Sequence, residues 1–262
     1  PLKMQGYKKS DIKTRVREAA ELLRIDHFLD SNISSLSSGD RQRVALGRAL
    51  VRRPKAFLMD EPLGTLDAEF RELMCLELKK LHIDIGATTV YVTHDQLEAM
   101  SLADRIAVMD GGQILQADEP NVIYNKPKTK LVASFIGSPG MNFIDINEGI
   151  SNEQSTINIE DANFNIPKQF ETSKSNKNFF GIRPENLSLT NEGGLKGSVF
   201  GVEYLGSRKI ITVKTNIGEI KVKADISINI KLNENVQIKP ANDSIIIFDG
   251  ETDKSLKSEF MK

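Results

Sequence analysis

A single cysteine, Cys75, occurs among the 262 residues. No intrachain disulfide can therefore form and no thiolate cluster can hold a metal, a composition that suits a reducing cytosol. Cys75 lies in the middle of a helical pattern and reads as a packing residue. Long apolar runs are missing as well. Nothing approaches the roughly 18 consecutive apolar residues of a membrane-spanning helix, and the first residues lack the basic-then-apolar layout of a signal peptide. Nor does one sign of charge dominate: thirty-five Lys+Arg against thirty-six Asp+Glu leave a net charge of −1, so no overall field draws the chain to nucleic acid or to an anionic membrane. Any membrane attachment is expected to run through a protein partner. With 39% hydrophobic and 27% charged residues, the composition is that of a soluble globular protein long enough for two domains.

Periodicity divides the chain. Asp11–Leu23 places Ile12, Val16, Ala19, Ala20 and Leu23 at helical spacing, with Ser10 as the expected N-cap. Ala56–Met59, a short apolar run between Pro54 and Pro62, reads as a strand buried on both faces of a parallel sheet. Ala68–Ile85 reads as a helix with Phe70, Leu73, Leu76, Leu78 and Leu81 as apolar positions and Gly86 as its stop. Thr88–Thr93 is strand, Gln96–Ala103 helix and Arg105–Met109 strand again, an alternation that argues for an α/β sheet with right-handed crossovers. Asp110–Gly111–Gly112 turns into Gln113–Gln116, a hairpin. Two helical pieces follow at about 120–124 and 129–136. At Gly137–Gly140 the period changes from helical to alternating, which marks the expected boundary. Beyond it, eight short strand candidates between Phe143 and Phe248 suggest a small barrel of the OB type. Residues 251–262 are mostly polar and are expected to form a flexible tail.

Three blocks carry chemistry. In LSSGDRQRVALGRAL at Leu36–Leu50, Ser37 and Gly39 expose a hydroxyl and backbone N–H groups at a helix N-terminus, where the macrodipole favours anions. In AFLMDEPLGTLDA at Ala56–Ala68, a strand delivers Asp60 and Glu61 past its C-terminal edge, where ligands bind in open α/β sheets; a lone Asp-Glu pair would be a solvated turn, but the apolar strand before it and Pro62 after it favour a site. Asp67 is the expected N-cap of the helix that follows. In VYVTHD at Val90–Asp95, a strand ends in His94, whereas His27 and His82 read as structural.

In this order and spacing the blocks resemble the second half of an ABC transporter nucleotide-binding subunit. The first resembles the signature LSGGQ, with Ser38 in place of a glycine and Asp40 in place of glutamine. The resemblance implies a RecA-like P-loop NTPase core with a helical subdomain, and a cofactor set of ATP and Mg2+. It implies that Asp60 holds magnesium through water and that Glu61 is the base that polarises the attacking water. It makes His94 the switch histidine at the γ-phosphate. Ser37, Ser38, Gly39 and Asp40 would form the signature that reaches across a dimer, and Asp67 would belong to the D-loop. Asp40 would bring negative charge towards the phosphates unless Arg41 or a ribose hydroxyl offsets it. The family's phosphate loop, G-x-x-x-x-G-K-[ST], does not occur in these 262 residues. Pro1–Met4 already look like sequence from beyond the family's glutamine loop, so the chain reads as N-terminally truncated and is expected not to hydrolyse ATP by itself.

VASFIGSPGMNF at Val132–Phe143 and GIRPENL at Gly181–Leu187 resemble the regulatory segments of importer ATPases of the maltose and glycerol-phosphate type, with weaker support from Val202–Gly206 and Phe248–Asp249. The expected division is 1–137, the later part of the nucleotide-binding domain, then 138–250, a β-barrel regulatory domain. The resemblance implies a homodimer of ATP-binding subunits and two integral membrane permease subunits. It further implies an extracytoplasmic solute-binding protein acting indirectly, no nucleic acid, and a peripheral location on the cytoplasmic face of the inner membrane. The cargo would be a sugar or sugar phosphate. An oxyanion importer ATPase and a non-catalytic regulatory or assembly module are the alternatives. A soluble ABC ATPase of DNA repair or translation would show a coiled coil or a second cassette, and neither is visible.

Overall fold

The computed structural model describes residues 2–241 and 243–261, apart from the side chains of Leu81 and Ile85. The chain forms two compact units, residues up to Asp104 and residues from Arg105 on.

The first unit contains α1 (Lys9–Leu22), α2 (Ser38–Leu50), β1 (Ala56–Asp60), α3 (Ala68–Ile85), β2 (Thr88–Val92) and α4 (Gln96–Leu102). β1 and β2 pair in parallel from Ala56↔Thr88 to Asp60↔Val92, and α3 is the crossover that a parallel pair requires. Asp67 caps α3 by accepting from the Phe70 amide at 2.9 Å, and Gly86 ends it in the left-handed region at φ 63°, as a helix C-terminus favours. Leu23, Leu50, Phe57, Leu63, Met74 and Leu78 are part of its core. The apolar helix position Leu81 lies outside the described side chains.

Two expectations are corrected here. α1 begins at Lys9, with Lys8 at the N-cap. Ser10 sits inside the first turn, its hydroxyl donating to Asp11, whose charge complements the helix N-terminus in place of a cap. β1 is buried on one face only, Phe57 being 5% exposed and Leu58 83%. Successive side chains of a strand point to opposite faces, and this two-stranded sheet leaves Leu58, Val90 and Val92 on the open one.

Cys75, on α3, is buried. Burial, followed by the nearby Glu98 and Asp95 charges, pushes its thiol up to about 11. Alkylation by iodoacetamide at pH 8 should accordingly be ~100-fold slower in the folded chain than in urea; equal rates would show that α3 does not shelter it.

The second unit contains β3 (Ile106–Asp110), β4 (Gln113–Asp118), α5 (Pro120–Asn125), α6 (Lys130–Phe135), β5 (Asn142–Ile146), β6 (Thr156–Ile159), β7 (Ala162–Asn165), β8 (Asn178–Ile182), β9 (Leu187–Thr190), β10 (Leu195–Leu205), β11 (Arg208–Thr215), β12 (Gly218–Asp225), β13 (Asn235–Pro240) and β14 (Ile245–Asp249). β3 does not extend the parallel sheet. It pairs antiparallel with β4, because Gly111 and Gly112, both at positive φ, make the tight turn that brings the two strands together. The later strands form an antiparallel sheet ordered β12-β11-β10-β13-β9, another ordered β14-β8-β5, and the β6-β7 hairpin. β12 curls back towards β9, so the five-stranded sheet is barrel-like. One core joins these sheets, with Ile146, Phe164, Phe180, Ile211, Val222 and Ile247 among its members.

Two features of this unit were not legible beforehand. Arg183, 3% exposed, donates from Nη1 to the carbonyls of Ala133 and Ile136 and from Nη2 to that of Tyr124. It thereby satisfies carbonyls that the ends of α5 and α6 leave without helical partners. Burial lowers its pKa from the ordinary arginine value. The polar tail is also not frayed. Lys130 N donates to Asp253 O, Leu256 N to Ile247 O and Phe170 N to Lys257 O, and Leu256 and Ser258 are buried. Unsatisfied backbone groups at a sheet edge recruit such a segment whatever the polarity of its side chains.

Candidate functional site

The site begins at the end of β1. Asp60 is exposed, and its carboxylate accepts no hydrogen bond among the described residues. Glu61 follows with φ 44°, a left-handed conformation that costs a non-glycine residue ~1–3 kcal/mol and persists only where the surroundings enforce it. Its amide donates to Val92 O at 2.9 Å, and its carbonyl accepts from Gly64 N at 3.3 Å. The carboxylate is thereby turned towards the end of β2, where Oε1 lies 3.0 Å from His94 Nδ1. Both side chains are open to solvent, at 52% and 73% exposure.

That contact raises the pKa of His94 above its ordinary 6.5, first through the hydrogen bond to Glu61 and then through its charge. The raised folded-state value means that the pair's stabilisation is complete below the unfolded pKa and is lost as pH rises through the folded one. An NMR titration should place the His94 midpoint above 6.5, and Glu61→Gln should bring it back towards 6.5. An unshifted midpoint in the parent chain would remove the pair from the site.

A network joins the residues on either side of His94 to α3 and α4. Thr93 Oγ1 accepts from Asp95 N at 2.9 Å and donates to Glu98 Oε2 at 2.8 Å, and Tyr91 Oη donates to the same oxygen at 2.9 Å. Glu98 is 3% exposed. Burial, then the bond to Glu98, raises the Tyr91 pKa far above the phenol range. Arg71, from α3, reaches Asp95 Oδ2 at 3.1 Å and Glu98 at 3.7 Å and donates to Leu66 O. Asp95 caps α4 through the Leu97 and Glu98 amides. Sequence reasoning passed over Arg71 and Glu98. The cue was present, since Asp95 and Glu98 have capping-box spacing, yet here the glutamate takes hydroxyls in place of the N-cap amide.

The start of α2 is the third element. Ser37 is its N-cap and accepts from Asp40 N at 3.1 Å, while its hydroxyl donates to Asp40 Oδ2 at 2.6 Å. Arg43, 3.6 Å from Asp40, supplies the offsetting charge. Arg41, the expected partner, donates to Leu36 O instead, because a helix carries residues i and i+3 on one face but not i and i+1. Ser38 and Gly39 form the first turn, and a Cβ on Gly39 would stand 3.6 Å from Thr65 O. Gln42, one turn later, donates from Nε2 to Glu61 O at 2.9 Å and accepts the Thr65 hydroxyl. The fold thus brings Glu61 and His94 together and sets α2 against the 61–65 turn. Asp67 stands apart as the α3 cap. Among the described residues no group of three or more His, Cys, Asp or Glu side chains could hold a metal.

Comparison with known proteins gives the frame for this geometry. The ABC transporter family matches residues 3–64, and the TOBE domain family matches residues 180–248. The chain is similar to the trehalose/maltose import ATP-binding protein MalK of Thermococcus litoralis, with 41% identity over 98% of this chain and 72% of that protein. It is equally similar to the sn-glycerol-3-phosphate import ATP-binding protein UgpC of Vibrio cholerae, at 41% over 98% and 69%. An uncharacterized ABC transporter ATP-binding protein of Bacillus subtilis, YurJ, is 40% identical over 97% and 73%.

Proposed function

The chain belongs to the ABC transporter family of ATP-binding proteins, and from that premise we propose that it is the ATP-hydrolysing subunit of an importer of sugars or sugar phosphates. The observation that supports the catalytic reading best is the 3.0 Å contact between Glu61 and His94 at the ends of two parallel strands. Relatives named for import of trehalose/maltose and of sn-glycerol-3-phosphate support the cargo class.

In this reading Glu61 is the general base, a carboxylate open to the water it must deprotonate. His94 orients that carboxylate and contacts the γ-phosphate. Asp60 holds magnesium through water. An exposed carboxylate that has no partner among the described residues fits that part, since magnesium keeps several waters when bound and would offset negative charge in phosphoryl transfer. Ser37, Ser38, Gly39 and Asp40 present the α2 N-terminus to the nucleotide of a second subunit, and Asp67, the cap of α3, belongs to the D-loop stretch. Asp40 is restrained by Ser37 and Arg43, so its charge is partly offset before any phosphate arrives.

The dimer of ATP-binding subunits sits on two membrane permease subunits at the cytoplasmic face of the inner membrane, served by an external solute-binding protein. No helix among the described residues is long and apolar enough to cross a membrane. Residues 1–137 are assigned to the nucleotide-binding part and residues 138–250 to a regulatory β domain, a reading supported for the second by the TOBE match, while residues 105–137 pack with the second compact unit.

The test joins residues 1–262 to a phosphate-loop segment from a relative. Ser37→Arg places bulk where the opposite nucleotide docks, so sedimentation in ATP should find monomers that still bind nucleotide. A variant that dimerises and hydrolyses like its parent would remove the signature role.

A further inference from the structure

We infer that Gln42 is a positioning residue that holds Glu61 in its working conformation and ties it to the partner-facing end of α2. The inference rests on the reading of Glu61 as the base.

Both ends of the Gln42 amide are in use. Its NH2 group donates to the carbonyl of Glu61 at 2.9 Å, and its carbonyl oxygen accepts the hydroxyl of Thr65. Because the amide has one donor end and one acceptor end, these two partners define its orientation.

Glu61 needs such support. Its φ of 44° is strained for a residue with a side chain, and three hydrogen bonds hold its backbone. Two come from the strand pair and the turn itself, Glu61 N to Val92 O and Gly64 N to Glu61 O. Among the described residues only the third, from Gln42, comes from outside the strand pair and the turn. If the backbone relaxed out of the left-handed region, the direction of the carboxylate would change and the 3.0 Å contact with His94 would be lost.

Gln42 lies four residues beyond Ser38 on α2, so it and the signature segment share one rigid turn-and-a-half of helix. A shift of the α2 N-terminus, as when a phosphate of the opposing subunit docks there, therefore moves the amide that holds Glu61. One side chain connects the element facing the partner's nucleotide to the base facing its own.

A purely structural brace between α2 and a turn would affect stability and leave the base alone, and the experiment separates the two. In residues 1–262, the imidazole nitrogen shifts of His94 are compared at fixed pH in the parent, Glu61→Gln, Gln42→Glu and Gln42→Leu. Gln42→Glu keeps size and the acceptor for Thr65 but removes the donor to Glu61. Both Gln42 variants should move the His94 shifts to those of Glu61→Gln. His94 shifts equal to the parent's in the folded Gln42→Glu variant would overturn the proposal. In the chain joined to a phosphate loop, both Gln42 variants should lower kcat ~10- to 100-fold while KM for ATP stays within about 3-fold, as expected when a reacting group is misplaced by about 1 Å. An unchanged kcat, or a loss confined to KM, would also overturn it. Full turnover by Glu61→Gln would instead refute the base assignment, and the His94 shifts would still decide whether Gln42 holds Glu61.

Discussion

Glu61→Gln, in residues 1–262 joined to a phosphate loop, should lower ATP turnover by roughly 10²–10⁴-fold, the span that a positioned general base contributes. The amide is nearly the size of the carboxylate but cannot accept the proton of the attacking water. The backbone bonds to Val92, Gly64 and Gln42 involve no side-chain atom of Glu61, so the conformation of the turn should survive. Nucleotide binding should survive with it, because Asp60 and the α2 N-terminus are untouched. The ATP-bound dimer should then accumulate and be seen by sedimentation. Rapid turnover by the variant would assign the base elsewhere. Residues 1–262 without a phosphate loop should show no steady turnover, since nothing in them matches the phosphate-cradling motif.

The second large effect lies far from this chemistry. Arg183→Met should destabilise the second unit by about 3–4 kcal/mol, because three carbonyls, those of Ala133 and Ile136 buried and that of Tyr124 half-buried, lose a charged donor together. Methionine fills much of the volume but offers no N–H group. The guanidinium also lies 4.2 Å from the Tyr124 ring centroid, and Tyr124 in turn bonds Glu185, so the segment carrying α5 and α6 would lose one of its anchors to the strands. Arg183→Lys should recover part of the loss, since one ammonium can reach some of the carbonyls but cannot reproduce the planar fork. Urea unfolding followed by far-ultraviolet circular dichroism measures both. A loss below about 1 kcal/mol for Arg183→Met would mean that water replaces the guanidinium at little cost.

Much of the fold follows from local rules that a reader of the sequence can apply. α3 runs from the residue after Asp67 to the residue before Gly86, as its capping residues dictate. The turn at Gly111–Gly112 requires positive φ twice, and glycine stands at both positions. β7 and β9 escaped notice for an equally local reason. Ala162–Asn165 is half asparagine, which disfavours strands, and Leu187–Thr190 is too short to establish an alternation.

The sequence by itself singled out the candidate site residues. Carboxylates at a strand end, a histidine at the next one and a capped helix opening on small residues are each specified within about a dozen positions, and their order identifies the family. Tertiary structure alone decided how they are held. Gln42 meets Glu61 across 19 positions, Arg71 meets Asp95 across 24, and Arg183 meets Ala133 across 50. Periodicity has no term for such contacts, because a hydrogen bond between distant segments depends on where packing sets two backbones and not on the pattern within either. The same holds for the tail, whose side chains resemble those of a free end, while its backbone bonds to groups that the sheet leaves open.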